Sequence, residues 1–107
     1  MTNITFYKKN NLLIGFEVKG HTGKADAGED LLCAQISTVA QLAVVGVDEV
    51  LKIHAFVEIS DGYLTIKMTE AQAKPKEVQV LLDTCLKSFK SIILDEKKYA
   101  KLEVKNV

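Results

Sequence analysis

The chain has 107 residues, 48% of them hydrophobic, and its fourteen basic residues balance fourteen acidic ones. That length supports one compact domain over residues 1–107 with a core of its own and leaves no room for two ordinary ones. Every basic residue is a lysine, so the planar fork that suits bidentate phosphate and guanine recognition is missing, and nucleic acid is not an expected partner.

Neither half of the chain carries a charged tail behind the neutral total. No uninterrupted apolar run approaches the roughly 18 residues that span a bilayer, and MTNITFYKKN lacks the basic-then-apolar layout of a signal peptide. The expectation is a cytoplasmic protein without a membrane partner. Cys33 and Cys85 are then expected as free thiols, because the cytosol keeps thiols reduced. Two Cys and two His without close pairing make a poor zinc site, so no metal and no cofactor are expected.

In chain order, residues 4–7 (ITFY) and 12–18 (LLIGFEV) read as strands joined by KKNN, where Asn tolerates left-handed geometry. The following GHTGKADAG is broken by Gly20, Gly23 and Gly28 and reads as a loop. From Glu29 onward, DLLCAQISTVAQLAVVGVDEVLKI places apolar residues at 32, 36, 39, 40, 43, 44 and 47, the stripe of a largely buried helix bent or interrupted at Gly46. Residues 55–59 and 63–68 flank Ser60-Asp61-Gly62, a hairpin-turn signal. Pro75 fits the first turn of a second helix, whose stripe runs through Val78, Leu81, Leu82, Cys85, Leu86, Phe89, Ile92 and Ile93. Tyr99 to Val104 alternates and closes the pattern as a strand. The order β-β-α-β-β-α-β predicts an α+β fold: a two-layer sandwich with a mostly antiparallel sheet and two main helices.

The chemistry concentrates at residues 20–37. Spacings of three and four put Asp30, Cys33 and Ser37 on one helical face, apart from the stripe through Leu32, Ile36, Val39 and Ala43. Cys33 lies near the helix start, where free N–H groups and the positive end of the dipole favour an anion such as a thiolate. His21 is the residue type that takes a thiol proton and returns it to a leaving amine, and a loop can bring positions 21 and 33 together. Asp30 is placed either to orient the imidazole or to cap the helix. Backbone N–H groups near Cys33 or Gly20 are candidates for an oxyanion site. The plain alternatives stand beside these readings: helical cysteines and loop histidines are common without catalysis, and Ser37 is equally a solvated hydroxyl. Cys85 falls on an apolar stripe and reads as core, and His54 reads as a boundary residue.

The stretch GHTGKADAGEDLLCAQIS, with G-H, a glycine-containing loop and then D-x-x-C-x-x-x-S, resembles the ribosomal-processing cysteine protease (Prp) family. Chain length and element order are similar as well. By position, the resemblance implies that Cys33 is the nucleophile and His21 the general base, with Gly20, Asp30 and Ser37 supporting them; Lys24, Ala25 and Ala27 inherit no role. It further implies a homodimeric endopeptidase that removes a short N-terminal extension from ribosomal protein twenty-seven of the large subunit, cutting after an aromatic residue. The substrate partner would then be a peptide segment of a ribosomal protein, with Gly23 and Gly28 as hinges of a lid over it. The competing expectations are a non-enzymatic, dimeric, ribosome-associated scaffold with an incidental thiol, and a redox-sensing thiol, which would prefer a resolving cysteine nearby, whereas Cys85 falls on another helix.

Overall fold

The computed structural model describes residues 1–26 and 30–107. Strands β1 (Thr2–Lys9) and β2 (Leu12–Lys19) form the opening hairpin. Its turn residues Asn10 and Asn11 both sit at positive φ, 49° and 66°, the left-handed geometry that matches the twist of a two-residue hairpin. Helix α1 (Leu31–Val45) follows, and its chain path continues through a wider π-helical turn, Gly46–Val50. Strands β3 (Phe56–Ser60) and β4 (Tyr63–Lys67) form the second hairpin around Asp61 and Gly62. Helix α3 (Lys76–Ile93) starts at Pro75, and β5 (Ala100–Asn106) ends the fold.

The α+β sandwich expected from the pattern is the observed architecture, with one short addition. Helix α2 (Glu70–Ala73) is capped at both backbone and side chain by Thr69 and Gln72. Thr69-Glu-Ala-Gln is a capping-box signature that hydrophobic periodicity passes over, because the helix is only one turn long. Gly46, expected to bend or break the first helix, is where the α-helix gives way to the π-helical turn, and it also lets α3 come close. A β-carbon there would lie 2.7 Å from Leu81 Cδ2, so its absence admits the Leu81 side chain between the helices.

The strands lie in the order β3-β4-β2-β1-β5, antiparallel except for β1 with β5. Phe6, Phe16 and Ile66 stand opposite one another across three strands and are fully buried, which marks the face covered by the helices. From α1, Leu32, Ile36, Ala40 and Ala43 enter this core, joined by Val47 from the π-helical turn; from α3 come Val78, Leu82, Cys85, Leu86, Phe89 and Ile93. These are the residues of the two expected stripes; Val39, Val44, Leu81 and Ile92 pack at its margin.

By length and composition the 20-residue segment Leu31–Val50 is apolar enough to cross a membrane, with a mean hydropathy of 1.6 over an 18-residue window, although Gln35, Ser37, Thr38, Gln41, Asp48 and Glu49 interrupt its apolar run. Its inward stripe enters the sheet core, but Leu31, Leu42, Val45 and Val50 are exposed, so the helix is less buried than its composition leads one to expect.

An aromatic cluster ties the two layers. Phe6 and Phe16 stack with ring centroids 4.9 Å apart, and Phe89 meets them edge-on at 5.9 and 5.5 Å. Phe89→Ala should cost about 3–5 kcal/mol in urea unfolding, since it removes both transfer energy and close packing, and Phe89→Leu should recover more than half of that loss.

Candidate active site

Asp30 starts α1. One of its carboxylate oxygens, Oδ1, accepts the backbone N–H of Cys33 at 2.9 Å, and the other, Oδ2, accepts the hydroxyl of Thr22. Of the two roles open to Asp30, the structure therefore displays the helix cap. The same carboxylate joins the loop to the helix, because Thr22 is 3% exposed and lies eight residues earlier. The Thr22 hydroxyl, followed by the Cys33 N–H, holds the Asp30 carboxyl below its ordinary value.

Cys33 sits in the first turn of α1, half-buried, on the face that also carries exposed Ser37. His21 follows the end of β2 and is exposed. Gly20 directs it there: at φ +95° its N–H donates to Gly62 O at 2.8 Å, and its own carbonyl accepts the Thr2 hydroxyl at 3.3 Å. A β-carbon on Gly20 would lie 2.5 Å from the Met1 carbonyl oxygen, so both conformation and space require glycine. The imidazole rests against the β3–β4 turn, with Nε2 3.7 Å from an Asp61 carboxylate oxygen.

His21, Cys33, Ser37 and Gly20 line one cavity of about 290 Å³ between the start of α1 and the β3–β4 turn. Val18, Ile36, Ala40 and Leu64 supply apolar wall, and Asp61, Gly62 and Tyr63 the turn side. Asp30 acts on this cavity through the helix it caps. A larger, mostly apolar groove of about 610 Å³, lined by Leu42, Val45, Val50, Val80 and Leu81 with Lys76, Glu77 and Thr84, contains none of the candidate residues.

Several expectations take a different form. Of the backbone N–H groups around Cys33 and Gly20, that of Cys33 is taken by Asp30 and that of Gly20 by Gly62 O. Lys24, to which no inherited role was given, has a structural one, bonding Glu96 at 2.5 Å and lying 5.7 Å from the Tyr99 ring centre, which fastens the loop to the segment before β5. Gly23 faces open space at φ +70°, and the second expected hinge, Gly28, lies outside the described residues. Three site residues were not singled out from sequence: Thr22, Asp61 and Gly62. Asp61-Gly62 was legible only as a turn, and no sequence signal pairs Thr22 with Asp30. His54 is an exposed boundary residue whose carbonyl accepts from Gln72. Among the described residues no group of three or more His, Cys, Asp or Glu is arranged to hold a metal ion.

The sequence signature of the family described as Cysteine protease Prp matches residues 1–101. The chain belongs to the Prp family. The fold agrees. The ribosomal processing protease Prp from S. aureus, in complex with a covalently linked product peptide, superposes with a TM-score of 0.89 at 20% identity, covering 98% of this chain and 100% of the other. The same S. aureus protease with a substrate peptide gives 0.82 at 19% identity, with 98% and 100% covered. SMU.848 from Streptococcus mutans gives 0.85 at 21% identity over 100% of this chain and 96% of its own. No curated protein gives a significant sequence match.

The two thiols differ in surroundings. Cys85 is 2% exposed, and burial pushes its thiol up to about 11, so at pH 7 only about one molecule in ten thousand carries the thiolate there. Iodoacetamide at neutral pH should therefore add one alkyl group per folded chain, at Cys33, with Cys85 modified only after unfolding; peptide mapping reads the site, and equal labelling of both would contradict this account.

The Asp30 cap predicts a pH dependence. A carboxyl lowered on folding contributes stability that is present above its unfolded value of about 4 and is lost as pH falls through the lower folded value. Asp30→Ala should lower Tm by several degrees at pH 7 and Asp30→Asn by less, and the advantage of the wild type over Asp30→Asn should shrink as pH falls below about 4.

Proposed function

We propose that the chain is a cysteine endopeptidase of 107 residues, folded as a single domain, that removes the N-terminal extension of ribosomal protein twenty-seven of the large subunit. The observation that carries this reading is the meeting of His21, Cys33 and Ser37 in one cavity, in a chain of a cysteine protease family. Peptide complexes of the structurally similar S. aureus protease support an extended peptide as the substrate class.

In the proposed reaction Cys33 Sγ, as thiolate, attacks the carbonyl carbon of the scissile bond, and the protonated His21 imidazole gives its proton to the departing amine as the C–N bond breaks. The thioester then reacts with water. His21 takes the proton of that water, the new C–O bond forms, and the C–S bond breaks to release the carboxylic acid and return the proton to the His21–Cys33 pair.

Asp30 supports the nucleophile by fixing the first turn of α1, so that Cys33 stays near the positive helix end. Ser37, one turn further along the same face, is the hydroxyl this reading assigns to the developing oxyanion, since the Cys33 and Gly20 N–H groups are engaged. Gly23 acts as a hinge of the loop over the bound peptide. The apolar side walls Val18, Ile36 and Leu64 suit a hydrophobic residue before the scissile bond. The mechanism calls on no metal and no cofactor. The same reading places the protein in the cytoplasm as a homodimer, with the exposed apolar residues Leu42, Val45, Val50 and Val80 as surface available to a second copy.

The test is to incubate the purified chain, thiol reduced, with the extended ribosomal protein of the same organism and to locate the new N-terminus by mass spectrometry. A single cut that releases the extension is expected. Cys33→Ala should abolish it with Tm nearly unchanged, and His21→Ala should slow it by about 10²-fold or more. An intact substrate with folded, reduced wild-type protein counts against the protease reading.

A further inference from the structure

Gly20 and Thr22 fix the backbone on either side of His21, but its side chain is 62% exposed and makes no hydrogen bond to the described residues of its own segment. What faces the ring is the β3–β4 turn. A β-carbon placed on Gly62 would lie 2.7 Å from His21 Nε2 and 3.2 and 3.3 Å from Cδ2 and Cε1, so the imidazole occupies the space that any other residue at 62 would fill. The contact is reinforced from the backbone, because Gly62 O accepts the N–H of Gly20, the residue immediately before the histidine. Asp61, beside Gly62, sets its carboxylate 3.7 Å from Nε2.

We propose that Asp61 and Gly62 are positioning residues for His21: Gly62 forms the seat of the ring, and Asp61 holds its Nε2 edge. With Nε2 turned to the carboxylate, Nδ1 is the nitrogen left to exchange the proton with Cys33. The hairpin turn is thus part of the catalytic geometry although it lies about forty residues from the histidine in sequence. The inference rests on reading His21 as the general base.

The two contributions differ in size for a physical reason. The Asp61 carboxylate is 98% exposed, so its effect on the imidazolium is that of a screened surface pair. Displacing the ring is more serious, because a misplacement on the order of 1 Å in a reacting group costs up to about a hundredfold.

The experiment measures kcat and KM for a synthetic peptide spanning the processed junction of the ribosomal protein, at about 0.05 and 1 M NaCl. Asp61→Asn should lower kcat about two- to fivefold at low salt with KM and Tm unchanged. At high salt the wild type should fall toward Asp61→Asn while that variant stays flat, since salt screens an exposed charge pair. Gly62→Ala should lower kcat about ten- to a hundredfold. Should that variant fail to fold, its hairpin being strained by a side chain at φ +66°, the Asp61→Asn salt dependence carries the test. Asp61→Asn kinetics equal to wild type at both salts, with Cys33→Ala and His21→Ala inactive, overturn the positioning role and leave the protease reading standing. Full cleavage by Cys33→Ala or His21→Ala overturns both.

Discussion

The candidate site depends on one carboxylate. Asp30 accepts the N–H of Cys33 with one oxygen and the Thr22 hydroxyl with the other. The first bond sets where α1 begins, and so which residue occupies its first turn and which way that residue points. A helix turns by about 100° per residue, so with Leu32 and Ile36 packed into the core, Cys33 and Ser37 are left on the cavity side. The second bond makes the incoming loop part of the same unit. The cap, Cys33 and the buried stripe therefore share a single helix.

Around that helix start the fold assembles three segments that are remote in sequence: the end of β2, the first turns of α1, and the β3–β4 turn. They meet because β4 pairs with β2, which brings Tyr63 opposite Lys19 and therefore Gly62 within reach of Gly20. The rigid parts are the sheet and the capped helix, and the histidine is the exposed part laid across them.

The two cysteines show how placement separates identical side chains. Cys85 is on the stripe of α3, and burial pushes its thiol up to about 11. Cys33 is offset from the stripe of α1 and opens on the cavity. Both are free thiols. A redox role would ask for two accessible sulfurs, and one of these lies in the aromatic and aliphatic core beside Phe89.

Composition, turn signals and one alternating segment were enough to read the five strands, and periodicity the two main helices and their buried faces, because a helix that covers one face of a core must repeat its apolar residues about every 3.6 positions. The same local rule separated Cys33 from Cys85 and grouped Asp30, Cys33 and Ser37. It left undecided whether Asp30 holds the histidine or the helix, since spacing is the same in both cases; the hydrogen bonds to Thr22 and Cys33 decide it. The one-turn helix α2 escaped for want of a period. Strand order, the parallel pairing of β1 with β5, and the use of Asp61 and Gly62 as the seat of His21 belong to the tertiary structure alone. Local pattern records which face of an element is buried. Which element it is buried against depends on packing between distant segments, and no residue spacing encodes that.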